Sequence, residues 1–388
     1  MDRVRAAIGM LLGVASVFSW NLPAAIKAKP VVIALAGNLS AMSDNMWNPF
    51  SDYFRKGIYL ALEEMRGDLQ RAGLQVSIRE FDLENDKTRA IDAAQAITKS
   101  EAVAAIGFPY SAELLLAGPI LNSARVPTLS PSATADRIGA IGRYVRTSTF
   151  NDTFQGAMLA RLVRKQGLKS VGIVSAADCA YCQSLRKAFL SHAASQGCVI
   201  RFDEQRLESE LQRADVLGEI GQRARNLRMD GILVPNYERL SATIISGLYD
   251  NGVRPKYWIG GDGWGAMSEL FLQLVGKRPV EGITVAHWHA DAHGPGNSKF
   301  LKLFRDAHGK EPIEVTPVAY DAMRLLLSAV MRADRKDREG VQKALEEIQR
   351  FEGVVGSIRY AEGTRIPSKD AVVLRLQNGK VIPAGRVE

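Results

Sequence analysis

Short, almost uninterrupted apolar runs recur along this chain, each followed by a longer segment with apolar residues at helical spacing. Val31–Ala36 is the first such run. Asp52–Met65 follows it, and Phe54, Ile58, Tyr59, Leu62 and Met65 predict a helix there. Gln75–Phe81 reads as a strand, Thr88–Lys99 as an alanine-rich helix, Ala102–Gly107 as a strand and Ala112–Ala124 as a helix. Val126–Ser130 and Tyr144–Thr147 are two further short strands. The rhythm continues through Phe154–Gln166, Val171–Ser175, Gln183–Gln196, Gly231–Pro235, Ser241–Asp250, Tyr257–Gly260 and Gly282–His287. A strand buried on both faces has no polar side to show, so this pattern requires parallel sheets covered by helices, an α/β fold. At 388 residues the chain holds two such units. The last stretch differs. Val355–Tyr360, Ala371–Gln377 and Lys380–Pro383 read as strands, with Asn378-Gly379 as a hairpin turn. This tail crosses back between the units or finishes a sheet edge.

The first residues stand apart from this pattern. Met1–Arg5 carries two arginines, and Ala6–Phe18 is then uncharged and apolar. Thirteen residues span only about 20 Å as a helix, short of the ~30 Å hydrocarbon layer. The segment reads as a secretory signal peptide over residues 1–28, which places the mature chain outside the cytoplasm. The whole sequence carries a net charge of +8 and a pI of about 9.3. Its lysines and arginines are scattered, with no basic run interleaved with aromatics, so the reading is a solvated basic surface and no nucleic-acid partner.

Cysteines stand at 179, 182 and 198. An odd count leaves at least one thiol unpaired within the chain, and an oxidising compartment permits one disulfide. Cys179-Ala-Tyr-Cys182 matches the C-x-x-C spacing of thiol oxidoreductases, but no other part of such a domain is evident. A redox pair, a structural disulfide and inert thiols all stay open.

In open parallel sheets, ligands bind beyond the carboxyl ends of the strands. Three strand ends carry suitable groups. At Ile106-Gly-Phe-Pro-Tyr-Ser111, the serine stands where a helix begins, either to hold an anion or as a plain N-cap. At Leu129-Ser-Pro-Ser-Ala-Thr134, small residues allow close backbone approach and Thr134 can donate and accept. At Ile259-Gly-Gly-Asp262-Gly-Trp264, an acid among glycines reaches a cleft or simply closes a turn. An anion site and an acidic site across one gap suit a zwitterion, of which an α-amino acid is the obvious small example.

Taken in order, Ile106-Gly-Phe, Pro127-Thr-Leu-Ser-Pro-Ser-Ala-Thr134, Tyr144-Val-Arg-Thr-Ser and Asp152-Thr-Phe-Gln155-Gly closely resemble the branched-chain amino-acid type of ABC-transporter substrate-binding proteins. The resemblance runs from about Val31 to Val381. It implies the periplasmic-binding type I fold: two Rossmann-like lobes with parallel sheets, joined by three crossovers. The implied division is lobe 1 over 29–148, lobe 2 over 149–285, a return to lobe 1 over 286–354 and to lobe 2 over 355–388.

The same resemblance implies the roles of single residues. Ser111 holds the ligand carboxylate. Ser132 offers its carbonyl to the ammonium, with Ala133 in the same segment, and Thr134 offers its hydroxyl and N–H. Asp262 stands where the family commonly has an acid that binds the ammonium. Tyr181 and Tyr237 resemble the second-lobe tyrosines, and Trp47 an aromatic in the first loop. The departures are Glu113, where the family has a serine run, and an aspartate, Asp262, where it often has glutamate. The implied function is an extracytoplasmic, periplasmic solute-binding protein of an ABC importer, capturing a small zwitterionic or carboxylate ligand by hinge closure. Its partners are that ligand and a membrane permease; the chain itself is expected to be a monomer without cofactors. The alternative is a sensor of the same fold acting on a regulatory partner.

Other constellations point elsewhere. His287, His289 and His293 form the densest donor cluster, suited to zinc or to backbone hydrogen bonds in a polar loop. The sequence contains no H-E-x-x-H, P-loop or G-x-S-x-G motif, and Glu63-Glu64 and Glu346-Glu347 read as helix surface. No enzyme class is supported.

Overall fold

A computed structural model describes residues 29–40, 49–292 and 295–387. Trp47, His293 and the N-terminal segment lie outside the described residues. The strands are β1 (Lys29–Gly37), β2 (Leu74–Asp82), β3 (Ala104–Gly107), β4 (Thr128–Ser130), β5 (Val145–Thr147), β6 (Ser170–Ala176) and β7 (Val199–Arg206). They continue with β8 (Gly231–Leu233), β9 (Tyr257–Gly260), β10 (Gly282–Ala286), β11 (Arg350–Gly353), β12 (Gly356–Arg359), β13 (Ala371–Gln377) and β14 (Lys380–Val387).

Two sheets organise the molecule. The first has the order β2-β1-β3-β4-β5 and is parallel throughout. β1 shows why its sequence is apolar without interruption. Val31, Ile33 and Leu35 face one core, with Phe54 and Ile58 of the helix Pro49–Glu64 and most of the helix Val315–Arg332. Ala34 and Ala36 face the opposite core, with Ala90, Ala94 and Leu114 of the helices Arg89–Thr98 and Ser111–Ser123. A period of two thus feeds two cores at once.

The second sheet has the order β14-β13-β10-β9-β8-β6-β7. Its strands β6 to β10 pair in parallel, and β13 and β14 join antiparallel at the β10 side. The expected hairpin forms at its expected turn. Asn378 and Gly379 both have positive φ (52° and 73°), the backbone that a two-residue turn of this kind requires.

The chain passes between the two cores three times. Val145 packs in the first half and Phe150 in the second; Ala286 packs in the second and Trp288 in the first; Tyr360 packs in the first and Ala371 in the second. Val355, Ile358 and Tyr360 belong to the first core, so the last passage falls beyond the expected return at 354/355. The three passages converge on one ring. Phe150, in the first, stacks on His287 of the second at 4.6 Å, and the Lys369 ammonium of the third lies 5.6 Å from its centroid. No helix among the described residues is long and apolar enough to cross a membrane.

Candidate functional site

Between the two halves lies a cavity of about 200 Å³. Phe50, Tyr110 and Ser132 line it from the first half, and Tyr237, Glu238 and Asp262 from the second. His287, at the second passage, and Glu314 complete its polar wall. Ile313, Val315 and Val318 supply apolar surface where the helix Val315–Arg332 begins.

Asp262 is the most constrained of these groups. It follows β9 in the run Gly260-Gly-Asp-Gly, and its carboxylate accepts from Gln155 Nε2 at 2.8 Å and pairs with His287 Nε2 at 3.0 Å. Its own backbone N–H donates to Gln155 Oε1 at 3.0 Å, so one amide side chain holds both ends of the residue. His287 Nδ1 lies 3.0 Å from the Thr149 hydroxyl. Burial lowers the pKa of His287, Lys369 adds to the effect, and Asp262 opposes it. The ring is therefore neutral at pH 7, accepting from Thr149 and donating to Asp262. Thr149 and His287 lie on two different passages between the halves, so this relay ties Asp262 to the pivot. His287 was a candidate metal ligand, but its ring is engaged in this relay. Among the described residues no three His, Cys, Asp or Glu side chains gather for a metal.

A row of aromatic rings crosses the gap. Phe50 lies 5.1 Å from Tyr110, Tyr110 meets Tyr237 edge-on at 5.0 Å, and Tyr237 stacks on Tyr181 at 4.9 Å. Tyr181 is buried, and its hydroxyl accepts from the Gly263 N–H at 2.9 Å. Position 263 must be glycine for this packing: a Cβ there would sit 2.5 Å from Tyr181 Cε1 and 2.9 Å from the Asn236 carbonyl. Cys179 and Cys182 form a disulfide that brackets Tyr181 at the start of the helix Ala180–Ala193, and Cys198 is a buried free thiol.

Of the residues singled out in the sequence, the structure brings Ser132, Tyr237 and Asp262 to the cavity wall. Ser111, Ala133, Thr134 and Tyr181 are buried directly behind them. Ser111 is the first residue of its helix and not the cap, and its hydroxyl accepts from the Thr134 and Ala135 N–H groups at 3.3 and 3.2 Å. It joins the two first-half loops to each other. Ser132 Oγ likewise donates to the Pro109 carbonyl at 3.0 Å. Glu113 faces neither solvent nor the cavity. It folds back over its own helix N-terminus, accepting from the Tyr110 N–H at 3.4 Å and from Asn38 at 3.2 Å, and burial pushes its pKa up to about 8.

Phe50, Tyr110, Glu238 and Glu314 escaped the sequence reading. Glu314 is only 7% exposed; one of its oxygens accepts from the His287 N–H. Burial pushes its pKa up to about 8, and that of Glu238 to about 7. An acid placed just ahead of the apolar helix Val315–Arg332 was the available signal for Glu314.

The periplasmic binding protein family matches residues 36–380. A Leu/Ile/Val-binding protein homolog from Brucella suis is 33% identical over 119 residues, a stretch covering 31% of this chain and 31% of that relative. A leucine-binding protein from Thermotoga maritima is 25% identical, covers 92% of this chain and 99% of its own, and superposes with a TM-score of 0.81. A solute-binding protein of an ABC transporter from R. palustris, solved with 4-hydroxybenzoate, is 18% identical over 93% of this chain and 97% of its own, with a TM-score of 0.79.

Proposed function

The chain belongs to the periplasmic binding protein family, whose members named above are binding proteins and not enzymes, and on that premise we propose that it captures an α-amino acid between its two halves for an ABC importer. One observation carries the reading. Asp262 presents a carboxylate that is 9% exposed, oriented by Gln155 and His287, at the wall of a cavity shared by both halves. Such a group suits an α-ammonium, because a charge-assisted hydrogen bond gains strength where water is excluded.

The ligand docks first on the half holding Ser132, whose carbonyl accepts from the ammonium. Ser111 and Thr134 lie directly behind, and their hydroxyls turn to the ligand carboxylate when the halves part. Tyr237 and Asp262 then close over it, with Tyr181 supporting Tyr237 from behind. A ligand stabilises the closed arrangement only to the extent that it prefers it. The closed form is what a membrane permease recognises. Residues 1–28 direct export to the periplasm, where the protein acts as a monomer.

The test is a thermal-shift screen followed by calorimetric titration with L-amino acids, their amides, short carboxylates and aromatic acids. The expected result is a micromolar Kd, about −8 kcal/mol, for an L-amino acid, with its amide bound much more weakly. Binding of aromatic acids but of no amino acid refutes the proposal.

A further inference from the structure

Resting on that amino-acid reading, we propose that the ligand is a basic amino acid, with its side-chain cation received by Glu314 and Glu238 beside the rings of Phe50, Tyr110 and Tyr237. Among the described residues the cavity wall carries three carboxyl groups, those of Glu238, Asp262 and Glu314, and one cationic residue, Arg239, which is exposed. Asp262 is assigned to the α-ammonium. Two carboxyl groups remain for a second positive charge.

Glu314 is the sharper of the two. It is more than nine-tenths buried, and one oxygen accepts from the His287 N–H. The other has no hydrogen-bond partner among the described residues, and the residue lines the cavity. Glu238 is held by the Ser268 hydroxyl on one oxygen. Each carboxyl already accepts from one donor, the His287 N–H or the Ser268 hydroxyl, and a leucine-like side chain would offer neither a further partner, which a low-polarity site disfavours. An ammonium or guanidinium satisfies both, and the ring faces add attraction for a cation.

The charged and titratable groups around Glu314 agree with this. They are Asp262, Glu238, His287 and Lys369. The two acids and burial raise the Glu314 pKa; Lys369 and the His287 N–H lower it. Lys369 itself is buried, has no hydrogen-bond partner among the described residues and does not line the cavity, so it leaves room for a ligand cation. Docking of that cation draws the proton off Glu314.

The experiment titrates the purified chain at pH 7 with L-lysine, L-arginine, L-ornithine and L-leucine, in two buffers of different ionisation heat. One basic amino acid is expected to bind at least about tenfold more tightly than L-leucine, with a net release of protons. Glu314→Gln should lower that preference by about 30-fold or more, as expected when one partner of a buried charge pair is removed. Glu238→Gln should act in the same direction, and it carries the test should the first variant fail to fold. Tighter binding of L-leucine overturns the inference and leaves the amino-acid reading intact. Absence of binding by every amino acid overturns both. Lysine binding without proton release, or a preference unmoved by the tested variant, overturns the role of Glu314.

Discussion

Replacing Asp262 by asparagine separates the charge of this residue from its place in the fold. The carboxylate is flanked by two buried donors, Gln155 Nε2 and His287 Nε2. Alanine leaves His287 Nε2 without a partner, while Gln155 Nε2 keeps Asp152 at 3.2 Å, so Asp262→Ala should lose about 1–3 kcal/mol of stability. Asparagine need not. Its oxygen still accepts from Gln155, and its amide can donate to His287 once that neutral ring moves its proton to Nδ1 and donates to Thr149. Asp262→Asn should therefore unfold in urea within about 1 kcal/mol of the parent chain, close to the net worth of one hydrogen bond. Ligand binding should respond differently. The buried ammonium loses its charged partner, at about 2–5 kcal/mol, or roughly 30-fold to several thousandfold in Kd. Calorimetric titration with the tighter of L-leucine and L-lysine measures this directly. An unchanged Kd in a folded Asp262→Asn protein would refute the assignment of Asp262 to the ammonium. A collapse of stability in the same protein would refute the adaptable-tautomer account of His287.

Three other predictions concern the frame of the site. Gly263→Ala forces a Cβ against Tyr181 and the Asn236 carbonyl and should cost about 1–3 kcal/mol, read as a lower urea midpoint; an unaltered midpoint would show that this loop gives way freely. Reducing the Cys179–Cys182 disulfide frees a loop of four residues and should cost about 2 kcal/mol by loop entropy, with weaker ligand binding because Tyr181 sits inside that loop; equal stability before and after reduction contradicts this. Glu314 and Glu238 keep their protons in the fold to about pH 8 and 7, whereas in the unfolded chain they ionise near their ordinary value of 4.5. Their contribution is therefore whole below that value and declines as pH rises toward 8, so the ligand-free protein should lose stability between pH 5 and 8, and Glu314→Gln should flatten that decline. A decline of equal slope in the variant would assign it to other groups.

The alternation of apolar runs made the parallel strands of both sheets legible, because strands buried on two faces leave an unmistakable trace. The Asn378-Gly379 hairpin was legible for a different reason, the backbone its turn demands. β7 does not stand out as a strand in the sequence, since it lies at the sheet edge and carries four charged residues, Arg201, Asp203, Glu204 and Arg206. Within the site, Asp262 stood out by following a strand end, and Tyr237 by the family resemblance alone. Phe50, Tyr110 and Glu314 did not, because what makes each of them a wall residue is a neighbour far away in the chain. His287 illustrates the same limit: its local companions suggested a metal, while its actual partners, Thr149 and Asp262, come from other strand ends.

The position of β13, between β10 and β14, has a consequence for the order in which the molecule is built. Until residue 371 has been synthesised, β10 is a bare sheet edge, and the first sheet likewise waits for the helix beginning at Val315 to cover it. A nascent polypeptide of this design cannot lock either half early. Shortened versions ending before β13 should accordingly accumulate as aggregates, not as a working half-molecule.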